Sequence, residues 1–400
     1  MFGPNSGFSK FNAAWRPPVL AAVWSSAVVL LWVDWPTLHT LAAITLGGIA
    51  VLSLTDARRE SLVVVVVIVA LIGLLLWSGA AVDEVVRGFD RSLIFAALLP
   101  TLAMTRSVAR GLSGVLTAQD RIAKLPRAWA GIGLLFGGHA FGYVLNTGSF
   151  ALMSSIIPDD SPVDDRRAAA LATLRGMNTT AFYSPFFVGF AVAYTYFPAV
   201  PVWQVFALGG GLAVVGLVVG LLLYARPLSW AGLKAGLGCL APVIPPMGGA
   251  VLLVVIASHL LPISTLGGVM MVMPLLAFLH IVSRPHRLRP IFSETRRAMA
   301  GMGDDLAVIS AAMVLGTLAE SAPPIREIVS PWIAGHMPPW AAVGATVGVM
   351  IGFAIAGLHP MITGTVMMAS LAGSGLAIAD LPLMIAMMFG WGMGAMNSIS

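Results

Sequence analysis

Residues 128–157 read AWAGIGLLFGGHAFGYVLNTGSFALMSSII. The stretch carries no Asp, Glu, Lys or Arg, and it is longer than the roughly 20 residues that a membrane-crossing helix needs. Yet Asn146-Thr147-Gly148, a turn-forming triplet, stands near its middle. Unpaired backbone groups are expensive at hydrocarbon depth, so irregular chain is tolerated there only when it is buried in protein or lines a cavity. A re-entrant hairpin satisfies that condition and a straight span does not. A second stretch, residues 339–372 (PWAAVGATVGVMIGFAIAGLHPMITGTVMMASLA), is interrupted in the same manner by His359-Pro360 and reads as a second hairpin.

The remainder of the chain agrees with a bilayer as solvent. Of 400 residues, 58% are apolar and 10% charged, which excludes an ordinary water-soluble domain. Apolar runs predict spans at 18–34, 37–55, 61–80, 92–106, 168–197, 202–225, 239–262, 263–283 and 304–321, with a last one opening near 381. The first, led by Lys10 and Arg16, lacks a small-residue cleavage site and reads as uncleaved. With the N-terminus inside and both broken stretches as hairpins, 18 of the 22 Lys and Arg fall on the inner side, as the positive-inside rule requires. Arg87, Arg91 and Arg326 lie outside, and Arg175 lies within a span. A multi-pass protein of the cell inner membrane with a cytoplasmic N-terminus follows. The net charge of +5 therefore reflects orientation, and no nucleic-acid partner is expected. Cys239 stands alone, so neither a disulfide nor a Cys-based metal site is available.

The fold expected is all-α, with two inverted repeats of about five transmembrane helices, each containing a re-entrant hairpin and an interrupted helix. Residues 1–199 form the first repeat, with plain spans in 18–80 and the hairpin and interrupted helix in 92–197. Residues 200–400 form the second, with plain spans in 202–283 and the matching elements in 304–400; it reads as C-terminally incomplete. Short matches link the halves. Thr147-Gly148-Ser149 and Thr101-Leu102-Ala103 recur at one common offset as Thr363-Gly364-Thr365 and Thr317-Leu318-Ala319, and Met177-Asn178-Thr179 is echoed by Met396-Asn397-Ser398. Paired broken elements in inverted repeats are the signature of a secondary transporter.

Polar groups near the midplane mark the site. They are Asn146, Thr147, Gly148 and Ser149 on the first hairpin, and Asn178, Thr179 and Thr180 where the fifth span is expected to unwind. In the second half they are His359, Thr363, Gly364 and Thr365 on the hairpin, and Asn397 and Ser398 on the last helix. Neutral Asn and Thr oxygens with freed carbonyls suit sodium, whereas no transition-metal set is present. Small polar residues also serve close helix packing, the competing role for each of them. Every one of the 17 carboxylates lies at a span edge or in a loop, so Arg175 makes the buried field positive and suits an anionic substrate. Snorkelling, or pairing with Asp164-Asp165, is its structural alternative. His139 is expected to satisfy backbone carbonyls, and Gly216-x-x-x-Gly220 to be a scaffold or dimer contact. No phosphate-binding loop, His-Glu-x-x-His or nucleophile elbow points to an enzyme or to a bound cofactor.

At Leu145-Asn146-Thr147-Gly148-Ser149-Phe150-Ala151-Leu152-Met153 the chain resembles the ion transporter superfamily, which includes divalent-anion/sodium symporters. Leu145 stands where that family carries Ser, and the second tip, Met361-Ile362-Thr363, keeps only the Thr. The resemblance implies a homodimer, a scaffold domain and a mobile transport domain. It also implies contacts of Asn146 and Thr147 with substrate or sodium, and cation sites shaped by Asn178, Thr179, Asn397 and Ser398. The function expected is sodium-coupled symport of a small organic anion, a di- or tricarboxylate, by an elevator-type movement. The alternatives are a permease subunit that needs accessory subunits or a soluble binding protein, an oxyanion efflux permease, and, in another class, a membrane-embedded enzyme or passive channel.

Overall fold

The computed structural model describes residues 7–146, 148–157, 161–224, 228–372 and 378–397. Of the described residues 84% are helical and none is in a strand. In chain order the helices are α1 (Gly7–Leu30), α2 (Pro36–Ser53), α3 (Arg59–Trp77), α4 (Asp83–Ala109), α5 (Ser113–Ala123), α6 (Arg127–Leu145) and α7 (Gly148–Ser154). Then follow α8 (Val163–Thr179), α9 (Val188–Tyr196), α10 (Val202–Tyr224), α11 (Trp230–Cys239), α12 (Ile244–Leu260) and α13 (Thr265–Ser283). The last are α14 (Leu288–Gly301), α15 (Gly303–Ser321), α16 (Ser330–His336), α17 (Pro339–Ile355), α18 (Pro360–Ala372) and α19 (Asp380–Asn397).

Among the described residues, seven helices (α1, α2, α3, α4, α6, α10 and α13) are long and apolar enough to cross a membrane, or up to nine if the bent pairs α11–α12 and α14–α15 each count once. Their outward faces are apolar. On α3 only Val65 and Ile68 are buried, while Val63, Val66, Val69 and Leu74 are exposed. Trp35, Trp77, Trp203, Trp230 and Trp340 sit exposed at helix ends, where an indole bridges hydrocarbon and headgroup.

Both expected breaks are present. The first apolar stretch is α6, a turn at Asn146, and α7; the second is α17, a turn through Gly357, and α18. Two expected spans differ from what is found. The span expected at 239–262 is α12, which starts only at Ile244 and is preceded by an additional helix: α11 and α12 meet at 65° around residues 240–243, where Pro242 cannot donate a helical hydrogen bond and Pro245-Pro246 restart the chain. Residues 168–197 are divided into α8, a single 3-10 turn at Thr180–Phe182, and α9. The interruption falls at 183–187 rather than at 176–180. Pro185 causes it by removing an N–H and disfavouring helical geometry at Ser184. The Ser184 hydroxyl ties the break down by donating to the Tyr143 carbonyl at 2.5 Å.

Contacts divide the chain into two compact units, one of Met1–Ala103, Val192–Pro198 and Phe292–Ser400, the other of Met104–Ala191 and Ala199–Ile291. In the latter, α6 lies on α8 with backbones touching. A Cβ on Gly176 would come within 1.8 Å of the Leu135 carbonyl oxygen, and one on Gly138 within 2.3 Å of that of Thr173. Gly216 and Gly220 of α10 face Thr179 and Leu135, so this Gly-x-x-x-Gly pair packs within the chain. In the former unit α17 lies on α19, where a Cβ on Gly390 would be 2.9 Å from the Met350 sulfur. Such close approach is how helices associate where lipid removes the hydrophobic driving force.

Candidate functional site

The two broken stretches, α6–α7 and α17–α18, belong to different units, and each carries its own polar cluster. At the first, α6 ends in Asn146, whose backbone is held at φ 50° and ψ −130°. It is the one non-glycine residue with positive φ among those described, and it is buried. A side chain in this region is strained by about 1–3 kcal/mol, and such strain gathers at ligand-binding positions. The Asn146 carbonyl accepts from the Ser149 N–H at 3.0 Å and from the Ser149 hydroxyl at 2.7 Å, which closes the turn into α7. Thr147 lies outside the described residues. Half-buried Arg106, from the end of α4, runs its side-chain methylenes past Gly148, since a Cβ there would sit 3.4 Å from Arg106 Cδ.

Behind this tip stands a relay that sequence reading misses. His139 Nδ1 is 2.7 Å from Thr179 Oγ1, and His139 Nε2 is 2.9 Å from the Tyr183 hydroxyl. Thr179 in turn donates to the Gly176 carbonyl at 2.7 Å. Every donor finds an acceptor if Tyr183 donates to Nε2 and Nδ1–H donates to Thr179. His139 therefore bonds side chains of the interrupted helix in addition to meeting the Gly176 backbone carbonyl, the kind of partner expected of it. Tyr143 packs on Tyr183 with ring centroids 4.9 Å apart. The available signal is the rarity of Tyr, which occurs five times in the chain, with Tyr143 three residues before the first break and Tyr183 at the start of the break between α8 and α9.

Thr180 donates to the Met177 carbonyl at 2.6 Å, and Asn178 is buried on α8. At the second hairpin, His359 Nδ1 accepts from the Met361 N–H at 3.2 Å, capping α18, and its ring meets Trp391 edge-on at 6.0 Å. The Thr363 hydroxyl donates to Pro360, and that of Thr365 to Met361 and Ile362. Gly364 admits Met350 and Met387. Asn397 closes α19, and its side chain, like Ser398, lies outside the described residues. The Tyr196 hydroxyl is also buried here, without a hydrogen-bond partner among the described residues. It lies over Gly316, where a Cβ would be 2.0 Å from it and 3.5 Å from Thr365 Cβ.

The Ser and Thr hydroxyls thus direct their protons into their own helices. That leaves oxygen lone pairs facing outward as acceptors. Among the described residues no group of three or more His, Cys, Asp or Glu is placed to hold a metal ion.

Arg175 is elsewhere. Helix α8 stays regular through Thr179, and the guanidinium stacks on the Tyr224 ring 3.5 Å from its centroid. The cavity of about 550 Å³ that it lines includes Arg127, Asp165 and Tyr224, but none of Asn146, Gly148 and Ser149. The cation beside the first tip is Arg106. No protein-family model, curated protein or solved structure matches the chain.

Proposed function

We propose that the chain is a secondary active transporter, taking up a small organic anion with sodium as the coupling ion, and that its two broken hairpins form the substrate and cation sites. Asn146 carries this reading. A buried, strained Asn between two helices of an apolar chain is costly unless its amide and the freed carbonyls around it have a ligand. At the first tip Arg106 supplies a donor for an anion and the outward lone pairs of Ser149 suit a small cation; separately, at the second, the Tyr196 hydroxyl, without a hydrogen-bond partner among the described residues, is a donor, and the lone pairs of Thr363 and Thr365 suit a small cation. Glycine-mediated packing of α6 on α8, and of α17 on α19, supports a repeated architecture in which each hairpin travels with the helix that follows it. The distribution of Lys and Arg along the chain supports a location in the cell inner membrane with a cytoplasmic N-terminus. An elevator movement in a homodimer is the mechanism proposed.

The test is uptake into proteoliposomes across a panel of di- and tricarboxylates, preceded by a thermal-shift screen with and without sodium. Substrate accumulation that requires an inward sodium gradient supports the reading. Flux without accumulation makes the chain a channel, and accumulation only with an added soluble binding protein makes it a permease subunit.

A second reading rests on the His139 relay. A His flanked by two hydroxyls inside the membrane is a proton-relay geometry, so coupling to protons through His139 is the alternative to sodium. Uptake driven by a pH gradient in sodium-free buffer, and abolished in His139→Phe, decides for it.

A further inference from the structure

The cavity beside Arg175 is a built site with no part in the tips. Arg175 is half-buried on α8 and lies flat against Tyr224, the last residue of the strongly apolar α10. Stacking occupies the face of a guanidinium and leaves its N–H edge directed sideways, where it can grip an oxyanion bidentately. Among the described residues Arg175 makes no ion pair. Arg127 stands on the same wall at the start of α6, and the one carboxylate there, Asp165, leaves an excess of positive charge. Polarity is confined to the rim, because Arg127 and Asp165 are exposed while Ile122, Leu134 and Leu135 behind them are buried and apolar.

We infer that this cavity seats the headgroup of an anionic phospholipid, with the phosphate on Arg175 and Arg127 and the upper acyl chain along the apolar wall. The position fits a lipid: Tyr224 ends a span of 23 residues, where an aromatic ring with a polar tip marks the membrane interface. A volume of about 550 Å³ takes a headgroup and the first part of a chain. This inference needs only that the chain is membrane-embedded and is independent of any transport activity.

Purified protein in a neutral detergent is titrated separately with dioleoylphosphatidylglycerol, dioleoylphosphatidylcholine and inorganic phosphate, with bound lipid counted by native mass spectrometry and melting followed in parallel. Retention of one phosphatidylglycerol, about tenfold or more tighter than phosphatidylcholine, is expected, as is a loss of that preference in Arg175→Gln. Inorganic phosphate should produce no shift. Equal retention of the two lipids by the wild type overturns the assignment, as does an undiminished preference in a folded Arg175→Gln protein. A saturable shift with phosphate alone would make it a soluble-anion site instead. Should Arg175→Gln fail to fold, Tyr224→Leu and Arg127→Gln carry the same expectation, and an unchanged preference in both refutes it.

Discussion

Replacing Asn146 by Ala and by Gly separates strain from function at the first tip. The backbone there, at φ 50° and ψ −130°, is open to Gly without penalty, while an L side chain pays about 1–2 kcal/mol. Asn tolerates such geometry better than Ala because its amide can bond locally. Asn146→Ala should therefore destabilise by about 1–2 kcal/mol. Asn146→Gly should fall close to the wild type, since relieved strain is offset by a more flexible unfolded chain. For a unit of this size the two variants should melt about 2–8 °C apart. Function should not follow that order, because both variants lose the same amide. If the amide oxygen ligates the coupling ion, sodium should bind roughly tenfold or more weakly in each. Purified variants are compared by melting temperature and by sodium-driven uptake in proteoliposomes. An Asn146→Gly protein that melts with the Ala variant refutes the strain argument. One that keeps wild-type sodium dependence removes the side chain from the site.

Other perturbations test the packing, the second tip and the topology. Gly176→Ala places a methyl where the Leu135 carbonyl already is, so α6 and α8 must part at a cost of about 1–3 kcal/mol or more, whereas Gly131→Ala meets nothing within 4 Å and should be silent; thermal melting distinguishes them. Tyr196→Phe removes a buried hydroxyl that has no partner among the described residues, so stability should hold or rise while substrate affinity falls; a clear drop in melting temperature would show that the hydroxyl is satisfied in the folded chain. His139→Phe deletes contacts to Thr179 and Tyr183 and should cost about 1–3 kcal/mol, read by melting. Ser161→Cys should resist a membrane-impermeant thiol reagent in intact cells if the α6–α7 stretch turns back. The native Cys239 is buried and gives little background, and labelling from outside contradicts the inverted topology.

Breaks are legible in the sequence where a residue type forbids regular helix at that point. Asn146-Thr147-Gly148 and His359-Pro360 announce theirs, because a turn triplet or a proline interrupts helical hydrogen bonds that lipid cannot replace. The same logic applies to Ser184-Pro185, and overlooking it shifts the expected interruption onto Gly176-Met177-Asn178. Those glycine and polar residues are not an unwound segment. Gly176 is small because the Leu135 carbonyl presses on it, which is a demand of tertiary contact and leaves no mark in local sequence. The bend of α11 on α12 is legible in Pro242, Pro245 and Pro246, but the hydropathy of 239–262 is continuous and masks it.

Helix phase explains why the arginine that the sequence points to lies away from the tip. At 3.6 residues per turn, neighbours on α8 point about 100° apart. With Gly176 fixed against α6, Arg175 is turned off that contact and toward α10, where the Tyr224 ring receives it. Unwinding at 176–180 would release it from this constraint, so the error in the position of the break and the error in the arginine are one error. Arg106 is the opposite case. By hydropathy it counts as an inner loop charge, because the apolar run of α4 ends there, yet α4 continues to Ala109 and carries the side chain past Gly148. Charge counting along a chain assigns depth by hydropathy alone. A long Arg at a helix end can reach well beyond its own Cα, so which cation meets a tip is decided by the direction of the helix that carries it.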